Sequence, residues 1–325
     1  MPDSASVDLT THMVIAHQLP AALAKGIAEN LPGDVSLVAL GREDAWLPPK
    51  EAEILVAIPP RGGNVMVPDS PPPGWPGNLK WILAVSTGVD EYPRWAFDGP
   101  VVTCGRGLNS RALGEFVLAS ILAVEKHFPE IWIGNEADWT HRNLGSLYGK
   151  TVGVLGFGGI GKEVARLARA FGMSVLAYRR SNAPSEVEDV QLAGLSEVIS
   201  RSDHLVVALP LTPETRHLLN EETLSIVKRG VHLVNISRGG IVDGAALMHA
   251  LEDGRVGHAS LDVTEPEPLP EGHPFYSHPR VHLSPHLSYS GISSAPGLTK
   301  LFLENLDRYR QGLDLLHRVD PAIGY

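Results

Sequence analysis

Thr151-Val152-Gly153-Val154-Leu155-Gly156-Phe157-Gly158-Gly159-Ile160-Gly161-Lys162 is the stretch that decides how this chain is read. Thr151–Leu155 has the composition of a buried strand, and Lys162–Phe171 reads as a helix opening directly after the glycines. Between them the glycines keep GxGxxG spacing, and each has a physical task. Gly156 permits the tight turn, Gly158 lets backbone approach a pyrophosphate, and Gly161 lets the helix pack close to its strand. Gly159 and Ile160 lead into a helix N-terminus whose unpaired N–H groups and positive dipole favour phosphate. The expected ligand is a dinucleotide.

Downstream of this turn, strand-like runs recur at Ser174–Tyr178, His204–Leu209, His232–Ile236, Ala259–Val263 and Val281–Leu283. With Val152–Leu155 they make six, and helical patterns such as Asp243–Glu252 fill most gaps, as a doubly wound fold requires. Upstream, His12–Ala16, Val35–Leu40, Ile54–Ile58 and Lys80–Val85 read as strands, and Ala21–Asn30 as a helix. Pro59–Gly77 is crowded with proline and glycine and reads as surface loop. Leu108–Lys126 is a long helical pattern, after which Trp132–Gly145 loses periodicity. Leu298–Arg310 is helical with no strand of its own, so it is expected to return to the first half. The predicted fold is therefore α/β, with two Rossmann-like domains built on doubly wound parallel sheets. A cofactor domain, 106–290, is inserted into a substrate domain formed by 1–105 and 291–325.

Composition narrows the partners. The 325 residues carry a formal charge of −10, which disfavours nucleic acid and anionic membranes. Cys104 is the single cysteine, so an intrachain disulfide is excluded, and it reads as a small buried apolar residue. The N-terminus lacks a basic segment followed by an apolar run, and no apolar stretch is long enough to span a bilayer. A cytoplasmic address is expected. No His/Cys/Asp spacing suggests a metal, so none is expected.

The strand after the turn ends in Tyr178-Arg179-Arg180-Ser181, where an NAD site places an acidic residue for the ribose 2′-hydroxyl. No carboxylate occurs between Glu163 and Glu186. Two guanidiniums and a hydroxyl suit a 2′-phosphate, so NADP(H) is expected over NAD(H). Three further strand ends carry ionisable groups: Ser237-Arg238-Gly239-Gly240, Asp262-Val263-Thr264-Glu265-Pro266-Glu267-Pro268 and Ser284-Pro285-His286. In an open α/β sheet such ends border the ligand crevice. His204, His232, His249 and His258 lack such a setting and read as structural.

At this point the sequence resembles the D-isomer-specific 2-hydroxyacid dehydrogenases, which include glyoxylate/hydroxypyruvate reductases and phosphoglycerate dehydrogenases. The matching pieces are LYGKTVGVLGFGGIGKEVA, ALPLTPETRHLLN, LVNISRGGIVDGAAL, SLDVTEPEPL, SPHLSYS and VDPAIGY, with STGVDEY a weaker one. The resemblance implies a flavodoxin-like substrate domain and hydride transfer to or from a small 2-keto or 2-hydroxy acid. It implies Arg238, Glu267 and His286 as the catalytic set, and Pro210, Thr215, Ile236 and Asp262 among the cofactor contacts. An imidazole that titrates near about 6.5 can give or take the proton, a carboxylate can orient it, and Arg238 can clamp a substrate carboxylate. Between Glu265 and Glu267, spacing from Asp262 matches the family's glutamate at 267. Backbone N–H groups of Ser86, Thr87 and Gly88 are implied to meet the substrate, and a homodimer is implied with 128–147 as its arm.

Two positions depart from the family pattern. Arg179 replaces the acidic residue of NAD-using members, and Thr264 stands where an aromatic residue is common. Glyoxylate or hydroxypyruvate reduction is the leading expectation; phosphoglycerate dehydrogenase-like activity is the alternative, disfavoured by the lack of room after Tyr325 for the regulatory domain of its long forms. A nucleotide-sensing corepressor-like protein is the rival from another class. It would bring a long partner-binding extension, whereas this chain keeps the full acid–base set. Glu267 disfavours formate dehydrogenase, and a glycine turn at 156 rather than near the N-terminus disfavours the L-specific lactate and malate dehydrogenases.

Overall fold

A computed structural model describes residues 12–60, 64–180, 184, 185, 187–290 and 294–320. The chain divides into two compact units, Met1–Leu108 with Ser293–Tyr325, and Asn109–Ile292.

The first unit contains β1 (Met13–His17), α1 (Ala21–Ala28), β2 (Val35–Ala39), β3 (Ala52–Ala57), β4 (Trp81–Ala84) and β5 (Val101–Cys104). All five strands are parallel, in the order β2-β1-β3-β4-β5, the flavodoxin-like winding. Parallel strands covered on both faces read as continuous apolar runs rather than alternating ones. Accordingly Ile54 to Ala57 and Trp81 to Ala84 are fully buried. The helix Ser294–Arg310 packs on this sheet, where Phe302 stacks on Trp81 with ring centroids 5.5 Å apart. Cys104 is buried.

The second unit contains α2 (Ser110–Lys126), β6 (Thr151–Leu155), α3 (Gly159–Ala170), β7 (Ser174–Tyr178), β8 (Val190–Leu192), α4 (Leu195–Arg201) and β9 (His204–Val207). It continues with α5 (Glu221–Ser225), β10 (Val231–Asn235), α6 (Gly244–Glu252), β11 (Val256–Leu261) and β12 (Val281–Leu283). Its seven parallel strands run β12-β11-β10-β9-β6-β7-β8, so the winding reverses between β6 and β9. One face is covered by α2 and α3 through Val117, Ile121, Val164 and Ala168. The other is covered by α4, α5 and α6 through Ile199, Leu224, Leu247 and Leu251.

The α/β class and the parallel double winding are as expected, with three differences in detail. Both sheets hold one strand more than the sequence suggested, β5 and β8. β5 is four residues long and follows Gly99-Pro100, while β8 has only three residues and lies at the sheet edge, so neither leaves a usable periodic signal. In addition, α3 begins at Gly159 rather than Lys162, because its first turn is made of residues with poor helix propensity.

His204 and His232 are buried at the starts of adjacent strands, Nδ1 to Nδ1 at 3.3 Å, and His232 Nε2 reaches Ser260 Oγ at 2.9 Å. Glu125 at the end of α2 contacts Lys150 and lies 3.3 Å from His204 Nε2. Burial pushes the Glu125 carboxyl up, but these two contacts outweigh it and bring it down to about 2.

Candidate active site

Gly156 ends β6 with φ +103°, and a Cβ there would lie 2.4 Å from the carbonyl oxygen of Ala208. Only glycine fits such backbone. A Cβ on Gly161 would lie 2.2 Å from the Gly156 carbonyl oxygen, so this glycine sets how closely α3 approaches its strand. Gly158 differs: a Cβ there would meet nothing within 4 Å, and φ is −90°. The fold does not require glycine at 158, and the open space before the N-terminus of α3 fits a phosphate group. Gly158 and Gly159 are exposed and Ile160 is half-buried at the same helix start. The turn stands at the C-terminal end of β6, beside the point where the winding reverses.

Arg179 and Arg180 follow β7, and Arg179 Nη2 donates to the Pro184 carbonyl at 2.8 Å. Ser181 lies outside the described residues. After β9, Thr215 Oγ1 donates to the Pro210 carbonyl at 2.6 Å, closing the loop that carries both expected cofactor contacts. Ile236, after β10, is buried.

β10, β11 and β12 are neighbours, and their C-terminal ends carry Arg238, then Asp262 to Glu267, then His286. The Asn235 side chain braces the first of these ends. Its Nδ2 donates to the Arg238 carbonyl at 3.0 Å, and its Oδ1 accepts from Ser237 N at 3.1 Å. Arg238 Nη1 donates to the Ser237 carbonyl at 2.8 Å. A Cβ on Gly239 would sit 2.0 Å from the Thr264 carbonyl carbon, so the loops after β10 and β11 touch through backbone.

His286 and Glu267 are brought together, with Nδ1 and Oε1 2.7 Å apart. The imidazole is 14% exposed and the carboxylate 41% exposed. His286 has φ +50°, a left-handed conformation that is uncommon for a residue other than glycine. The backbone around it is fixed by Asp262, which is 1% exposed. Asp262 Oδ1 accepts from Ser284 Oγ at 2.6 Å and Leu287 N at 2.9 Å, and Oδ2 accepts from Ser288 N at 2.9 Å. His286 N adds a bond to the Asp262 carbonyl at 2.9 Å. This bracing role was not expected from sequence, because its partners lie 22 to 26 positions away.

In the first unit, Ser86 Oγ donates to the Gly88 carbonyl at 2.7 Å, and Thr87 Oγ1 reaches the Gly105 carbonyl at 3.3 Å. Tyr92 OH lies 3.2 Å from Ser86 Oγ and donates to the Ala57 carbonyl at 3.1 Å. Tyr92 therefore ties the Ser86-Thr87-Gly88 loop to the end of β3, another contact that sequence reasoning missed.

A doubly wound sheet with a glycine turn at its reversal point and an imidazole–carboxylate pair at neighbouring strand ends defines a nicotinamide-nucleotide oxidoreductase. Residues 118–288 match the family described as "D-isomer specific 2-hydroxyacid dehydrogenase, NAD binding domain". The chain belongs to the D-isomer specific 2-hydroxyacid dehydrogenase family, whose members are oxidoreductases acting on CH–OH donors. It is 36% identical over 226 residues to a glyoxylate reductase of Thermococcus kodakarensis, a match covering 66% of this chain and 68% of that one. It is 35% identical over 254 residues to a D-3-phosphoglycerate dehydrogenase of Bacillus subtilis, covering 76% of this chain but 48% of that one. The fold is similar to a D-isomer specific 2-hydroxyacid dehydrogenase of Xanthobacter autotrophicus Py2, solved in complex with NADPH and MES. That likeness has TM-score 0.79 and 30% identity, and covers 97% of this chain and 99% of the other.

Proposed function

We propose that the protein reduces a small 2-keto acid to the D-2-hydroxy acid, with glyoxylate or hydroxypyruvate as substrate and NADP(H) favoured over NAD(H). The observation that carries this reading is the 2.7 Å contact between His286 and Glu267 at the end of the sheet that also bears the glycine turn. When bound, the nicotinamide would supply the hydride that the carbonyl carbon accepts. His286 delivers the proton to the carbonyl oxygen, so that the keto acid becomes the hydroxy acid. Glu267, accepting from Nδ1, leaves Nε2 as the atom that carries this proton. Arg238 holds the substrate carboxylate and polarises the carbonyl. Backbone N–H groups of Ser86, Thr87 and Gly88 are the first unit's contribution to substrate binding.

Gly156 to Gly161 hold the pyrophosphate. Arg179 and Arg180 would hold the 2′-phosphate, Pro210, Thr215 and Ile236 would line the cofactor path, and Asp262 would border the nicotinamide while bracing the His286 loop. The unit of residues 109–292 is thus the cofactor domain and the other unit the substrate domain. A homodimer uses 128–147, a reading supported by the exposure of Trp132 (70%) and Trp139 (82%). Phosphoglycerate dehydrogenase-like activity is the second reading, favoured by the likeness to the Bacillus subtilis enzyme.

The test is oxidation of NADPH and of NADH by the purified protein with glyoxylate, hydroxypyruvate and 3-phosphohydroxypyruvate. The proposal expects the highest kcat/KM for NADPH with one of the first two. Preference for the phosphorylated acid would favour the second reading, and cofactor binding without turnover of any acid would refute both.

A further inference from the structure

Three loops at neighbouring strand ends meet one another, and an ion pair joins two of them. Arg216 follows β9, Gly239 and Gly240 follow β10, and Glu265 follows β11. Nη1 of Arg216 donates to both carboxylate oxygens of Glu265, at 2.9 and 3.0 Å. A Cβ on Gly240 would stand 3.1 Å from each of those oxygens, so the carboxylate lies directly against the loop that carries Arg238. The next residue, His217, donates its backbone N–H to the Gly240 carbonyl at 2.8 Å and places Nε2 3.5 Å from Glu265 Oε2.

Glu265 is two residues from Glu267, and the short span between them cannot swing freely. Pro266 and Pro268 fix their own φ angles, and Thr264 Oγ1 donates to the Pro266 carbonyl at 2.9 Å. Gly239 meanwhile abuts the Thr264 carbonyl and Glu265 N. The Glu265 carboxylate thus borders Gly240, on the loop that carries Arg238, and lies two positions before Glu267 on a proline-stiffened span. The side chains of Arg216 and Glu265 are 49% and 42% exposed. An ion pair so open to water adds little to folding stability. What it can do is fix geometry.

We propose that Arg216 and Glu265 are positioning residues that hold the Arg238 and Glu267 loops in register for the reaction. This rests on the reading of Glu267 and His286 given above. The pair acts by keeping Glu267 on His286 and Arg238 at its working distance. Misplacement of such groups by about an ångström can cost up to about a hundredfold in rate.

The experiment compares Arg216→Ala, Glu265→Gln, the double variant and Arg216→Lys, with Glu267→Gln alongside. It measures kcat and KM for glyoxylate, the Kd for NADPH by fluorescence, and the urea midpoint. Each single variant is expected to lose about tenfold in kcat/KM. NADPH affinity and the urea midpoint should barely move, and Arg216→Lys should regain part of the loss. The double variant should be no worse than either single one, because breaking one partner already breaks the pair. Single variants within twofold of the parent, or a double variant losing the product of both single losses, would overturn the proposal. If Glu267→Gln also leaves kcat/KM intact, the acid–base reading falls with it. If Glu267→Gln collapses activity while the Arg216 and Glu265 variants do not, only the positioning proposal falls.

Discussion

Ser288 donates its backbone N–H to the buried carboxylate of Asp262 at 2.9 Å, across 26 residues of sequence. With the bonds from Ser284 and Leu287, this contact decides where the backbone carries His286. Asp262→Ala would strand two N–H groups and a hydroxyl. A loss of at least about 3 kcal/mol of stability is expected, since hydrogen bonds to a charged group are worth roughly 1.5–3 kcal/mol each and the Ser284 hydroxyl can turn to another partner. Urea unfolding checks this, and a midpoint equal to the parent's would contradict the bracing role.

His286→Ala should lower kcat for keto-acid reduction by about 10²- to 10⁴-fold, the usual contribution of a positioned acid–base group. The NADPH Kd should stay within a factor of about two, because the glycine turn is untouched. Steady-state kinetics with a separate binding titration distinguish the two quantities. Loss of cofactor affinity at unchanged kcat would place His286 elsewhere in the reaction.

Gly156 and Gly158 should respond oppositely to alanine. At Gly156 the positive φ and the Ala208 carbonyl at 2.4 Å oppose a Cβ, so Gly156→Ala should cost roughly 3 kcal/mol or more. At Gly158 the space is open, and Gly158→Ala should change stability by less than about 1 kcal/mol. NADPH binding should nevertheless weaken at least about tenfold, as the methyl group takes the place of a phosphate oxygen. Paired melting and binding measurements test this, and equal stability losses would refute it.

Arg179→Ala should raise KM for NADPH far more than KM for NADH, by about tenfold if one charge-assisted contact to the 2′-phosphate is lost. Equal changes for the two cofactors would count against the NADP(H) preference.

Acid should loosen the second unit in two stages. Burial, with the neighbouring imidazoles of His204, His258 and His282, holds His232 well below its ordinary 6.5. His258 is lowered too, by burial first and then by His282, Arg280 and His127, with Glu130 opposing. The fold favours the neutral rings, so as pH falls below about 6.5 the unfolded chain gains protons that the folded one lacks, and stability drops. Glu125 gives a second loss as pH falls from 4.5 towards about 2, where its contacts with His204 and Lys150 are titrated away. His232→Asn should flatten the decline of the urea midpoint between about pH 7 and pH 5. An unchanged slope would show that other groups govern it.

How much of this was legible beforehand follows from sequence distance. The strand–turn–helix around Gly156 is local: Gly156 has the turn conformation and Gly161 the close helix–strand approach that their spacing suggested. The family resemblance, aligned through the spacing from Asp262, preferred Glu267 to Glu265, and Glu267 lies 2.7 Å from His286. β5 was missed because Val101–Cys104 sits directly behind the Gly99-Pro100 turn signal, and β8 because Val190–Leu192 is an edge strand interrupted by Gln191. The Asp262–Ser288, Arg216–Glu265 and Tyr92–Ala57 contacts span 26, 49 and 35 residues. Nothing within a single element announces such partners. Their pairing exists only once parallel strands have set loop beside loop.

The stacking of Phe302 on Trp81 also bears on the order in which the molecule is made. The first sheet is complete in sequence by Cys104, yet the core against Trp81 is closed by Leu298, Phe302 and Leu306. The unit ending at Ile292 has all its strands and helices before those residues emerge from a ribosome. During synthesis the unit encoded second therefore finishes first, while the N-terminal sheet waits with an apolar face uncovered. For that interval its uncovered apolar surface is open to association with other chains.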